Sequence, residues 1–357
     1  MNGKSGNEAR DERFGGSTRR QFLERLGRGV AAGSVVGGIL GGASGSAADE
    51  PPVEGRVAHR QLGRTGLSVS EIGFGGHNWS YRQVPDGDGY RAVTIDEAVE
   101  MIAAGLDMGV NFFDSCTPDS ESTIPGEALR RLKRRDEAVI CVRPSHKMKG
   151  VEADKQEIYQ WTEDRLRMWQ IDCIDVLLLS NQASVTPQSG YWDMSYSIEA
   201  LQRLKQQGKI RFTGFGSHFE PQWFFVAFQK FAKDFDVCSM PYNIRHRVAE
   251  MVMPAAKQAG LGVITIKPFA RGSLLRGRQL DGAEADLPRD LLAFVLENDS
   301  VDVCLAGFHT LAQMKKNFSA SWTPLSPESR ARLEELAAAT SVPHGELAWL
   351  ETGWRYA

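Results

Sequence analysis

The chain is poor in cysteine, and the spacing of what it has gives no sign of pairing. Its five thiols, Cys116, Cys141, Cys173, Cys238 and Cys304, are an odd number spread evenly, most of them inside apolar runs where cysteine packs as a small hydrophobe. That spread argues against a disulfide framework. No CxxC pair or spaced His/Cys cluster is present, so zinc and iron–sulfur sites are not expected, and no metal site is assigned. The one glycine- and alanine-rich apolar stretch is too short and too diluted for a stable membrane span of about 20 residues. An excess of one charge is missing too: the formal net charge is −3, and seven basic against four acidic residues up to Ala48 leave about −6 on the remainder. Neither nucleic acid nor an anionic membrane surface is an expected partner. What remains is an ordinary globular composition, 42% apolar and 24% charged, with enough residues for one large barrel of about 250.

The amino-terminal segment carries an address. Thr18-Arg19-Arg20-Gln21-Phe22-Leu23 resembles the twin-arginine export pattern, an apolar stretch follows from Gly29, and Ser46-Ala47-Ala48 offers a small-residue cleavage site. The expected organisation is a signal peptide over 1–48, a proline-containing acidic linker over 49–56 and a single domain over 57–357. Export of an already folded protein by the twin-arginine machinery to the periplasm or beyond is the expected localisation, with no membrane span in the mature chain.

Beyond the linker, a turn at 64–66 between two short extended arms signals a hairpin. Strand and helix then alternate. Strands are expected at 70–75, 110–113, 138–142, 174–179, 210–215, 237–240, 263–266 and 301–306. The run Ile174-Asp175-Val176-Leu177-Leu178-Leu179 is apolar almost throughout, as a strand buried on both faces should be. Helices are expected at 126–135, 154–170, 197–207, 221–233, 250–258, 288–297 and 311–320, with an appended helix at 327–339. A further helix between the first two strands has Val99, Ile102, Ala103 and Leu106 as its apolar stripe. A long polar loop is expected over 76–92. Eight strands, each followed by a helix, predict an α/β (β/α)8 TIM barrel preceded by an amino-terminal hairpin.

Several ordered blocks resemble the aldo-keto reductase family across nearly the whole mature chain. The opening 59–70 is similar to the family's barrel-plugging hairpin. Asn111-Phe112-Phe113-Asp114 resembles its NFFDTAxxYG segment, and 197–217 its LEALxxLKxxGKIRxIGxS block. Met240-Pro241-Tyr242-Asn243, Lys267-Pro268-Phe269, and Gly307 followed ten residues later by Asn317 keep the family's order and spacing. The resemblance implies a reductase scaffold using NAD or NADP. It also places Asp114 on the family's catalytic aspartate, Asp119 where the catalytic tyrosine stands, Arg143 where the lysine stands and Ser180 where the histidine stands. Three of four catalytic side chains are thus replaced.

These replacements have a physical meaning. A guanidinium can pair bidentately with the Asp114 carboxylate, yet it stays protonated and cannot tune a phenol as lysine does. Asp119 beside that charge should be held as an anion, unless crowding by Asp114 makes the two carboxylates titrate as a pair. His146, three residues beyond Arg143, is the alternative proton donor because histidine titrates near neutrality. Cys116, Glu121, His77, Tyr81 and Tyr90 share the expected mouth, and an inert buried thiol is the reading for Cys116.

On the cofactor side, the resemblance places Ser217 on the nicotinamide amide, His218 where asparagine is usual, Ser239 at a position often glutamine and Ile266 facing the ring. Lys267 to Gly272, with Arg271, offers a pyrophosphate site after the seventh strand. Gly307 to Asn317 resembles the adenosine segment, with Gln313 where a 2′-phosphate-binding arginine is frequent. Three readings follow. The first is an aldo-keto reductase-like oxidoreductase acting on a carbonyl or sugar-like small molecule through a non-standard proton donor. The second is a catalytically silent barrel binding a small ligand or partner, and the third is lyase or hydrolase chemistry by Asp114, Asp119 and His146.

Overall fold

Eight parallel strands close into a barrel in the computed structural model, which describes residues 53–75, 83–86, 89–116, 123–143, 151–180, 195–216 and 221–339. The strands are His59–Gln61 (β1), Ser68–Ser70 (β2), Ile72–Phe74 (β3), Gln83–Asp86 (β4), Gly89–Ala92 (β5), Phe112–Cys116 (β6), Val139–Arg143 (β7), Ile174–Ser180 (β8), Ile210–Gly216 (β9), Val237–Pro241 (β10), Gly262–Ile266 (β11) and Val303–Ala306 (β12). The barrel runs β3-β6-β7-β8-β9-β10-β11-β12 and back to β3. Around it lie the helices Ile95–Asp107 (α1), Ile124–Leu132 (α2), Val151–Trp169 (α3), Ser195–Gln206 (α4), Pro221–Phe231 (α5), Met253–Gln258 (α6), Leu287–Leu296 (α7), Leu311–Phe318 (α8) and Pro327–Ala339 (α9).

Alternation along the strands builds two cores. Phe112, Val139, Val176, Leu178 and Ile264 form one buried cluster in the lumen with Leu62 and Val69 of the hairpin, while Phe113, Ile140, Leu177 and Cys238 join the larger cluster beneath the helices. Tight spots in both are opened by glycine. A Cβ at Gly262 would meet Leu62 Cδ1 at 2.7 Å, and one at Gly105 in α1 would meet Phe74 Cζ at 2.5 Å.

The hairpin β1–β2 plugs the floor through two arginines that reach carbonyls at or next to helix ends and, at Val301, just before β12. Arg60 donates to the carbonyls of Leu296 (2.8 Å) and Val301 (2.6 Å), and Arg64 to those of Ala232 (2.6 Å) and Ala259 (3.2 Å). Carbonyls at helix carboxyl ends lack internal partners and attract cations, which is why arginine serves there. One side chain then pins the hairpin strand β2 to the barrel, and three more pin a barrel strand to the one before it. Asn111 accepts from the Ser70 N–H (2.8 Å), Asp175 from Ile140 (2.9 Å), Asp236 from Thr213 (2.9 Å) and Asp302 from Val263 (2.9 Å). These four side chains stand before or at the start of β6, β8, β10 and β12, so the register of each strand pair is held at the floor, away from the mouth.

Five expectations are corrected. The strand expected over 70–75 is two strands, because Glu71 turns aside to Arg60 (2.8 Å) and Ser321 (2.7 Å) and separates β2 from β3. The loop expected over 76–92 contains the antiparallel pair β4–β5, with Pro85 opposite Tyr90. Helix α2 stops at Leu132 because Lys133 turns left-handed at φ 54°. The helix expected from Glu250 starts at Met253, with Pro254 in its first turn and a separate single turn over Val248–Met251. The stripe of α1 is also displaced: Ala98, Met101, Ile102, Gly105 and Leu106 are its buried residues. No helix among the described residues is long and apolar enough to cross a membrane, and the described cysteines Cys141, Cys173, Cys238 and Cys304 are free thiols. The export signal expected over 1–48 lies outside the described residues.

Candidate active site

Strand alternation puts Asp114 of β6 and Arg143 of β7 on the inner face at the carboxyl end of the barrel, the end where βα-loops gather. Arg143 Nε donates to Asp114 Oδ1 at 2.5 Å, and the two side chains are only 6% and 3% exposed. Arg143 Nη1 then donates to Ser239 Oγ of β10 at 3.1 Å, with Ser239 itself fully buried. Cys141 stands on the same inner face of β7 two residues before Arg143, in register beside Asp114 of β6. Burial pushes that thiol well above its ordinary range, and the neighbouring Asp114 charge pushes it further. An arginine keeps its proton at any physiological pH. Arg143 and Cys141 therefore supply charge and hydrogen bonds rather than a mobile proton.

Other groups are arranged around this floor. Ile266 ends β11 half-buried and packs against the lumen cluster. After it the backbone takes an unusual path: Lys267, Ala270, Arg271 and Gly272 have φ of 62°, 47°, 59° and 83°. Three of these are not glycine, and each left-handed residue of that kind costs about 1–3 kcal/mol unless its surroundings hold it. One support is Asn243, fully buried after β10, which donates to the Lys267 carbonyl at 2.9 Å and accepts from the Arg245 and His246 N–H groups at 3.0 Å each. It thereby ties the loop after β10 to the loop after β11. His246 is pushed down to about 4 by burial, and Tyr242 up to about 12, mainly by burial, with its hydroxyl donating to Glu250 at 2.8 Å.

The segment after β12 is engaged with itself. Asn317 donates to the Gly307 carbonyl at 2.9 Å. Gln313 accepts from the His309 N–H at 2.7 Å while its own N–H donates to Thr310 Oγ1 at 3.2 Å. The Gln313 side chain thus closes the amino end of α8. Ser180 ends β8 in register with Gly216. Asp119, His146, Ser217 and His218, with Glu121, His77 and Tyr81, lie outside the described residues. Two participants were not singled out from the sequence. Cys141 was discoverable, since alternation puts positions 141 and 143 on one face. Asn243 had only its place in a family block as a signal, because its three partners are backbone groups. Among the described residues, no group of three or more His, Cys, Asp or Glu side chains could hold a metal.

The model of the aldo/keto reductase family matches residues 71–290, well over half of the chain. The chain belongs to the aldo/keto reductase family. Among its relatives, L-galactose dehydrogenase from Arabidopsis thaliana is 25% identical over 294 residues, covering 74% of this chain and 88% of the relative. The uncharacterized oxidoreductase YrpG from Bacillus subtilis is 29% identical over 298 residues, covering 74% and 83%. The holo form of an aldo-keto reductase from Bacillus halodurans superposes with a TM-score of 0.62 at 26% identity, covering 82% of this chain and all of that one. Asp114, the residue that the resemblance puts at the family's aspartate position, has a guanidinium as its ion-pair partner.

Proposed function

We propose that this aldo/keto reductase is an oxidoreductase acting on a carbonyl or sugar-like small molecule with a nicotinamide dinucleotide. The observation that carries this reading is the left-handed path over Lys267 to Gly272 at the barrel mouth. The Ala270 and Gly272 N–H groups close this path on the Lys267 and Phe269 carbonyls, so the segment is a tight, preformed turn that carries the exposed Arg271 cation, a group suited to a pyrophosphate. The dinucleotide, when bound, supplies or accepts the hydride. Asp114 and Arg143 fix charge beneath it, and Ile266 offers an apolar contact. Since Arg143 and Cys141 hold their protons, the proton is assigned to a loop group, Asp119 or His146. A relative named for L-galactose supports a sugar-like substrate. Gln313 is engaged at the start of α8, which favours NAD over NADP.

Titration of the purified chain with NADH and NADPH, followed by intrinsic and nucleotide fluorescence, tests this directly. Micromolar binding of NADH supports the reading, and absence of binding of either nucleotide by folded protein overturns it. The second reading, a silent barrel that binds a small ligand, is favoured by the same arginine, and Asp119→Asn and His146→Gln separate the two. Loss of turnover with dinucleotide binding kept marks catalysis. Export rests on the Thr18–Leu23 pattern, and paired Arg19→Lys and Arg20→Lys replacements should retain the protein in the cytoplasm of a twin-arginine-competent host.

A further inference from the structure

Arg143 does more than pair with the strand beside it. β7 and β10 are three strands apart round the barrel wall, so the Nη1–Ser239 bond runs across the lumen while the Nε–Asp114 bond runs along the wall. The guanidinium is therefore held at two separate nitrogens from two directions. Only arginine can do this, because its donors sit in a rigid planar fork whereas a lysine ammonium is one compact charge. The direction of the cross-lumen bond is obligatory, since a guanidinium has no acceptor and the serine hydroxyl must accept. Gly216, in register beside Ser239, presents no side chain here, and a Cβ on it would meet the Ser239 Cβ at 3.2 Å and carbonyl oxygen at 2.9 Å.

We infer that Ser239 is a positioning residue for Arg143. By accepting from Nη1 it stops the guanidinium pivoting about its bond to Asp114, and so turns the Asp114–Arg143 pair into a rigid charged crossbar beneath the nicotinamide end of the dinucleotide. This differs from a direct grip on the cofactor amide by Ser239, and its bearing on the cofactor rests on the oxidoreductase reading. The consequence for the chain is that Arg143 and Ser239 act as one unit, and neither is replaceable without the other losing its role.

The test combines a spectroscopic signature with binding. In the full chain, the 15N-labelled Arg143 Nε–H is assigned by its loss in Arg143→Lys, and its hydrogen exchange is followed without nucleotide. Ser239→Ala should accelerate that exchange and weaken NADH binding about fivefold, the equivalent of one net hydrogen bond. Ser239→Thr, which restores a hydroxyl, should recover both. Adding Ser239→Ala to Arg143→Lys should weaken NADH no further. Unchanged Nε–H exchange in Ser239→Ala overturns the inference, as do losses in the two variants that simply add. If the unaltered chain binds neither NADH nor NADPH, the oxidoreductase reading fails by itself, and the exchange measurement alone then decides the crossbar.

Discussion

Nε of Arg143 lies 2.5 Å from Oδ1 of Asp114, and both side chains are almost wholly removed from water. Such a pair is costly to break from one side, because the remaining charge is left buried without its partner. Arg143→Met should therefore lower stability by about 3–5 kcal/mol, measured by urea unfolding. Adding Asp114→Asn to that variant should recover a large part of the loss. An additive double variant would show that the two charges do not compensate each other.

The strand pins at the floor predict a stability effect without a binding effect. Asp302→Ala would leave the Val263 N–H without its acceptor and Lys257 without its partner. A loss of about 1–3 kcal/mol in thermal or urea unfolding is expected, with NADH affinity unchanged because the floor is at the opposite end from the mouth.

The pH dependence of stability should carry a contribution from His246. Its folded-state value is about 4 against an ordinary 6.5, because burial disfavours the imidazolium. Between those values the unfolded chain binds the proton and the folded chain does not, so stability rises with pH across the window. The contribution is complete above about 6.5 and lost as pH falls toward 4. Urea midpoints from pH 4 to 7 should show this slope, and His246→Gln should flatten it.

Ala270 and Arg271 predict opposite signs for two substitutions. Ala270→Gly relieves a left-handed alanine and should raise stability by about 0.5–1 kcal/mol, the relief outweighing the entropy of glycine in the unfolded chain. Arg271→Ala keeps the backbone requirement, so it should leave stability nearly unchanged and weaken NADH binding. Equal NADH affinity in the Arg271 variant would remove that side chain from the proposed pyrophosphate site.

Gly105→Ala tests packing against propensity. Alanine is the better helix former by about 1 kcal/mol, but its Cβ would press on Phe74, which stacks on Phe113 at a centroid distance of 4.6 Å and meets Phe318 edge-on. Overpacking, typically about 1–3 kcal/mol, should outweigh that gain and leave a net loss of up to about 2 kcal/mol, lowering the unfolding midpoint. A more stable variant would show that the Phe74 ring has room to move.

The alternation of strands and helices, the opening hairpin and the barrel class are legible in the residues themselves, because apolar periodicity and turn chemistry are local. The pairing of Asp114 with Arg143 was implied by the family resemblance, and its local reason is that period-two alternation puts both on the inner face at the ends of neighbouring strands. The split at Glu71 was not legible, because the partners that draw its carboxylate aside, Arg60 and Ser321, come from distant parts of the chain. Nor was the role of Gln313, since its position resembles a ligand contact and only its bond to His309 shows it closing a helix.

What the sequence by itself determined, then, is which residues line the lumen and which strand ends carry charge. Closure of the barrel decided the rest. Ser239 is 96 residues from Arg143 and meets it only because the wall curves round and brings β10 opposite β7. Likewise Asp175, Asp236 and Asp302 become pins only when each strand finds its neighbour's free N–H. A residue's type and its period along a strand are written locally, whereas a bond across a lumen depends on the register and curvature of the whole sheet.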